Sequence, residues 1–103
     1  MRKKKKLVWT PRALGSLRAI RNYIAREAPR TAAAFVARLR RHPNRLRMFP
    51  ELGGRIEEDN PYDLREIIYR DYRLVYHYDG KTVFIVDVFH GRYPLRLDDI
   101  TFE

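Results

Sequence analysis

The residues of this sequence that could do chemistry together are a carboxylate, a guanidinium and an imidazole: Glu66, Arg73 and His90. An arginine can take up charge on a phosphate, and a histidine or glutamate can move protons beside it. Zero cysteines remove a thiol nucleophile, thiolate metal sites and disulfides in one step. The three histidines, His42, His77 and His90, are too scattered to form a metal motif, so neither metal nor cofactor is expected.

Whether these groups meet depends on the strands that carry them. After Pro50 the chain becomes rich in Ile, Val, Tyr and Phe, and strands are expected at 64–69, 72–78 and 82–89. Arg70-Asp71 and Asp79-Gly80 read as two-residue turns, Asp-Gly being a strong hairpin signal. That register sets Ile68 opposite Arg73, Glu66 opposite Val75, Tyr76 opposite Val83, Leu74 opposite Ile85 and Tyr72 opposite Asp87. Side chains alternate faces along a strand. One face then carries Glu66, Arg73, His77 and His90 among Leu64, Ile68, Val75, Phe84, Val86 and Val88. The other carries Arg65 and Asp87 among Ile67, Tyr69, Tyr72, Leu74, Tyr76, Ile85 and Phe89. Glu66 and Arg73 are diagonal neighbours, roughly 7 to 8 Å apart at the backbone and within reach of an ion pair. His90 falls roughly 13 Å from Arg73 at about 3.3 Å per residue, a gap a phosphodiester could fill. Both faces are largely apolar, so the pattern leaves open which one the helices cover.

The elements before Pro50 must supply that cover. Leu7-Val8-Trp9 reads as a short strand, and Thr10-Pro11 as a helix start, with a hydroxyl at the N-cap and proline at the first helical position. Ala13, Leu17, Ile20 and Ile24 recur at helical spacing, widened by Leu14 and Tyr23, up to a stop near Ala28, where Pro29 disfavours helical geometry in the residue before it. A second helix begins at Pro29 with Ala32, Phe35, Val36 and Leu39 on its apolar side, and Pro43 should kink or divide it. Two helices so closely joined should pack as an antiparallel hairpin. Gly53-Gly54 and Asp59-Asn60-Pro61 punctuate a loop. The expected fold class is α+β in the order β-α-α-β-β-β, and 103 residues make a single domain, 1–103.

Charge is divided along the chain. The formal net charge is +9, but 1–48 hold fifteen Lys or Arg against the single acid Glu27, while 49–103 hold seven bases against twelve acids. Such a surplus points to an anionic partner, and the first half is the stronger candidate to hold it. Arg2 to Lys6 lead into only three apolar residues, too few for a signal peptide, and no run approaches a membrane span. The expected compartment is therefore cytoplasmic, without a membrane partner.

The order of elements, with Leu7-Val8-Trp9-Thr10-Pro11, Leu64-Arg65-Glu66, Tyr72-Arg73-Leu74-Val75-Tyr76 and His90-Gly91-Arg92, resembles the RelE/ParE superfamily of toxins from bacterial type II toxin-antitoxin systems. The resemblance spans nearly the whole chain. It implies a small α+β toxin neutralised by a protein antitoxin that wraps its surface. RelE-like members cut mRNA in the ribosome without a metal, whereas ParE-like members are described as inhibitors of DNA gyrase. Under the first branch, the resemblance makes Arg73 a phosphate clamp, His90 or Glu66 a proton shuttle, Arg92 a second clamp and Tyr93 a base-stacking ring. The lysines that many RelE-type enzymes place on the strand before this arginine are missing here, and Arg65 is the one base in that stretch, on the opposite face. Under the second branch, Arg65, Arg73 and Arg92 bind a target or serve structure. The ParE-like branch is favoured, with the nuclease and a non-toxic binding module of the same fold as alternatives. The helical arginines Arg18, Arg21, Arg38, Arg41 and Arg45 are the expected contacts of an acidic antitoxin.

Plainer roles compete with each of these. Arg73 and Glu66 make an ordinary ion pair, His90 can bond the backbone, and Glu51, which the resemblance would let stand in for the carboxylate some relatives use, belongs equally to a solvated loop. His42 and His77 read as surface residues, and the strand tyrosines read as packing. Asp87, in an apolar strand, needs a partner, and Arg65 on the same face is the candidate.

Overall fold

The computed structural model describes residues 3–57, 60–93 and 95. Arg2 and Asp59, named above, lie outside them. The elements are β1 (Lys6–Trp9), α1 (Pro11–Ala25), α2 (Pro29–Arg41), a 3-10 helix (His42–Arg47), β2 (Gly54–Arg55), β3 (Arg65–Tyr69), β4 (Tyr72–Tyr78) and β5 (Thr82–His90). The expected β-α-α-β-β-β order is present, with β2 added inside the loop after Pro50.

Thr10 starts α1 as its sequence suggests. Its hydroxyl oxygen accepts from the Ala13 N–H at 3.2 Å, and its hydroxyl hydrogen is shared between the carbonyls of Ile85 (2.9 Å) and Val86 (3.1 Å). One side chain thus caps the helix and ties it to β5, with no solvent exposure. Pro43 ends α2 by turning the chain into the 3-10 helix, whose Leu46 is fully buried.

The sheet order is β1-β5-β4-β3-β2. β1 runs parallel to β5, with Lys6 opposite Thr82 and Trp9 opposite Ile85. The other pairs are antiparallel. α1 and α2 pack on one another, and α1 lies on β5. The helices cover the face that carries Ile67, Leu74, Tyr76, Val83, Ile85 and Val88, where Ala13, Leu17, Leu39 and Leu46 complete the core. On the opposite face Ile56, Leu64, Val75 and Val86 form a smaller cluster with Phe89 and Leu95. Tyr23, expected on the apolar stripe of α1, is instead 70% exposed.

The β3–β4 register agrees with the expectation throughout, from Glu66 opposite Val75 to Ile68 opposite Arg73. Arg70 takes the positive φ of 56° that this tight turn requires. The β4–β5 register does not agree. Asp79 Oδ1 accepts from the N–H groups of Lys81 (2.9 Å) and Thr82 (2.8 Å), and the loop closes over Asp79, Gly80 and Lys81, so Tyr78 faces Val83. That is a slip of two residues, which leaves the faces unchanged. A bulge then intervenes: Tyr76 pairs with Ile85 but Val75 with Asp87, leaving Val86 as the extra residue. Beyond it the faces are exchanged. Leu74 pairs with Val88 and Tyr72 with His90 on the helix side, while Arg73 pairs with Phe89 on the other.

Candidate functional site

Arg73 and Glu66 meet as expected. Arg73 Nε donates to Glu66 Oε1 at 2.5 Å, with the two side chains only 14% and 27% exposed. The guanidinium carbon lies 5.2 Å from the centroid of the Phe89 ring, which the bulge has brought to this face. Arg73 is thus held by an acid on one strand and an aromatic ring on the other. An incoming phosphate would have to compete with Glu66 for it.

His90 does not share this face, contrary to the expected register, because of the bulge at Val86. Its ring lies on the helix side, 5.5 Å from Tyr72 and 6.3 Å from Tyr93 in edge-on contacts. His90 Nδ1 accepts from the Arg92 backbone N–H at 3.1 Å and from Arg92 Nε at 3.2 Å. Arg92 Nη2 lies 3.5 Å from His90 Nε2, so the guanidinium runs alongside the ring. His90, Arg92 and Tyr93 line one end of an open cleft of 400 Å³, and Ser16, Ile20 and Tyr23 of α1 line the other. Tyr93 is 57% exposed, and burial raises the pKa of the Tyr72 hydroxyl at the base of the cleft. Arg92 and Tyr93 thus join His90 in one cluster, separate from Arg73 and Glu66.

Arg65 lies on the helix side, as its register implies, and anchors a loop: its Nη1 donates to the carbonyls of Gly53 (2.7 Å) and Glu51 (3.3 Å). Tyr76 braces the same loop, donating its hydroxyl to the Pro50 carbonyl at 2.8 Å and accepting from the Gly53 N–H at 2.9 Å. A Cβ on Gly53 would come within 2.5 Å of the Glu66 carbonyl oxygen, so glycine is needed where the loop crosses β3.

Asp87 finds partners other than Arg65. Its carboxylate takes Arg12 Nε at 3.1 Å, the Ser16 hydroxyl at 2.6 Å and the Val88 N–H at 2.8 Å. Among the described residues none of these contacts involves Arg65, which is held by the Gly53 and Glu51 carbonyls instead. Arg12 and Ser16, one turn apart on α1, went unassigned in the sequence. Their spacing of four residues was the available signal. His42 and His77, expected at the surface, are both half-buried, and the His42 ring centroid lies 5.0 Å from that of Tyr69 in a tilted contact. Arg18, Arg21, Arg38, Arg41 and Arg45 are all exposed. Arg38 reaches the Tyr69 hydroxyl, and Arg45 Nε donates to the His42 carbonyl at 3.0 Å.

Among the described residues there is no cluster of three or more His, Asp or Glu fit to hold a metal, and no helix long and apolar enough to cross a membrane. A small helical hairpin on one face of a five-stranded sheet, with β1 at the edge parallel to the last strand, defines the class of protein. The family model for the ParE toxin of the type II toxin-antitoxin system parDE matches residues 7–93. The chain belongs to this toxin family, within the RelE/ParE superfamily. Its fold is similar to that of a chain in the chromosomal ParDE system from P. aeruginosa, with a TM-score of 0.72 and 19% identity, covering 84% of this chain and 96% of that one. It is also similar to a chain of the RelBE2 toxin-antitoxin complex from Mycobacterium tuberculosis, with a TM-score of 0.57 and 23% identity, covering 84% and 98%. No curated protein matches the sequence.

Proposed function

We propose that this toxin acts by binding a protein target, DNA gyrase, and that an acidic protein antitoxin neutralises it. The observation that carries the reading is the separation of Arg73 from His90. Metal-free RNA cleavage needs a base for the 2′-hydroxyl, a cationic clamp on the phosphate and an acid for the leaving oxygen, all converging on one phosphodiester. Here the arginine is spent on Glu66 and Phe89, and the imidazole lies across the sheet with Nδ1 committed to Arg92. β3 presents Glu66 and Ile68 beside Arg73, and no lysine. The match to the ParE model over most of the chain supports the same branch, and the solved relatives come from toxin-antitoxin systems.

Induction of the chain in cells should stall DNA replication and leave mRNA intact, and the purified protein should inhibit supercoiling by gyrase. Ribosome-dependent mRNA cleavage with supercoiling unaffected would overturn the reading in favour of the nuclease. Absence of any growth defect would overturn it in favour of a non-toxic binding module.

A further inference from the structure

A second site lies away from both the Arg73–Glu66 pair and the His90 cluster. Beside β1 runs a groove of 560 Å³, walled by α2 and the 3-10 helix. Ala37, Arg40, Arg41 and Asn44 recur at three- and four-residue spacing, so the end of α2 and the turn after it present them to one side. β1 closes the other side with Leu7 and Trp9, whose side chains also pack on the core. The two walls are tied together: the Lys5 N–H donates to the Arg47 carbonyl at 2.7 Å, and the Lys5 carbonyl accepts from Arg47 Nε at 3.1 Å. The second of these bonds holds the Arg47 guanidinium at the groove before any ligand arrives.

Lys6, Arg40, Arg41 and Arg47 all line this groove, and among the described residues no acid does. Elsewhere arginines meet carboxylates, Arg12 at Asp87, Arg55 at Asp63 and Arg73 at Glu66. None of the four groove cations does so among the described residues. Like charges gathered in one concave place repel one another and strengthen its attraction for an anion.

We propose that this groove binds a small molecule, a nucleoside triphosphate, with its base against the Trp9 indole and its phosphates on Arg40, Arg41, Arg47 and Lys6. The groove falls within the range of small-molecule sites, about 300 to 1,000 Å³. Guanidinium groups give phosphate oxygens forked, charge-assisted hydrogen bonds. The indole supplies a ring face for the base, and the Asn44 amide offers both a donor and an acceptor to a base edge or a ribose hydroxyl. An inorganic anion leaves the apolar wall of Leu7 and Trp9 unused, and an uncharged ring leaves four cations unmet. A ligand that answers both joins a flat ring to a polyanion. Bound there, it touches β1, α2 and the 3-10 helix at once and stabilises the chain by mass action.

ATP titrated into the purified full chain provides the test, with inorganic triphosphate and adenosine as comparison probes. Trp9 is the only tryptophan in the sequence, so its emission, corrected for absorbance by the nucleotide, reports on the groove and should change as ATP binds. ATP should bind about fivefold or more tighter than inorganic triphosphate, the least a stacked base contributes, and also tighter than adenosine. Arg40→Gln with Arg41→Gln, both at exposed positions, should weaken ATP binding by about tenfold or more. Arg18→Gln with Arg21→Gln removes the same charge from exposed positions of α1 and should weaken it by less than about twofold. No binding of ATP, equal affinity for ATP and inorganic triphosphate, unmoved Trp9 emission, or equal loss in the two double variants would each overturn the proposal. The measurements use the chain alone, so failure of this site leaves the gyrase reading standing, and failure of that reading leaves the site.

Discussion

The Tyr76 hydroxyl satisfies the Pro50 carbonyl and the Gly53 N–H from a side chain with no solvent exposure. Tyr76→Phe leaves both backbone groups buried without a partner and should cost about 1 to 3 kcal/mol in chemical denaturation. His42 offers a different measurement. Burial lowers its pKa from the ordinary 6.5, and Arg45 lowers it further, against a smaller upward pull from a backbone hydrogen bond with Ile68. The unfolded chain therefore takes up the proton first as pH falls. The stability that neutral His42 contributes is complete above its ordinary pKa, declines as pH drops below it and levels off beneath the folded value. Thermal melts from about pH 7.5 to about pH 5 should show a falling Tm, and His42→Gln should flatten that slope. At this scale the sequence was legible where the register was short-range. Glu66 and Arg73 straddle a two-residue turn, so their pairing followed from counting. His90 did not, because a bulge has no residue signature of its own: Val86 looks like any other strand valine.

Among the elements, β5 organises the others. It pairs with β1 and β4, accepts the Thr10 hydroxyl and sends Asp87 to α1. Arg12 and Asp87 are 28% and 15% exposed, so their ion pair is shielded and hydrogen-bonded rather than a loose surface contact. Asp87→Ala should cost about 2 to 4 kcal/mol, with amide exchange accelerating in α1 before β4. Leu7-Val8-Trp9-Thr10-Pro11 announced a strand and a capped helix because capping and proline chemistry act within a few residues. β2 went unforeseen since two residues, Gly54 and Arg55, become a strand only by lying against β3. The parallel docking of β1 on β5 was equally invisible, being decided by burial of Leu7 and Trp9 against residues 75 or more positions away.

For the whole molecule, charge separates the helical half from the sheet half. Ten of the fifteen bases in 1–48 lie on β1, α1, α2 and the 3-10 helix, while the acids are concentrated after Pro50. Capture of an acidic partner by the purified chain should weaken steadily from low to high salt; an affinity unchanged across that range would contradict the electrostatic account. The formal +9 understates this asymmetry. It also conceals that the arginines of α2 divide between two sides, with Arg38 at Tyr69 and Arg40 and Arg41 in the groove beside β1.

The pairing of Lys6–Trp9 with β5 has a bearing on timing. The first strand to leave the ribosome has no place to dock until Thr82–Ile85 have been made, so during synthesis the helical hairpin emerges with its apolar side uncovered.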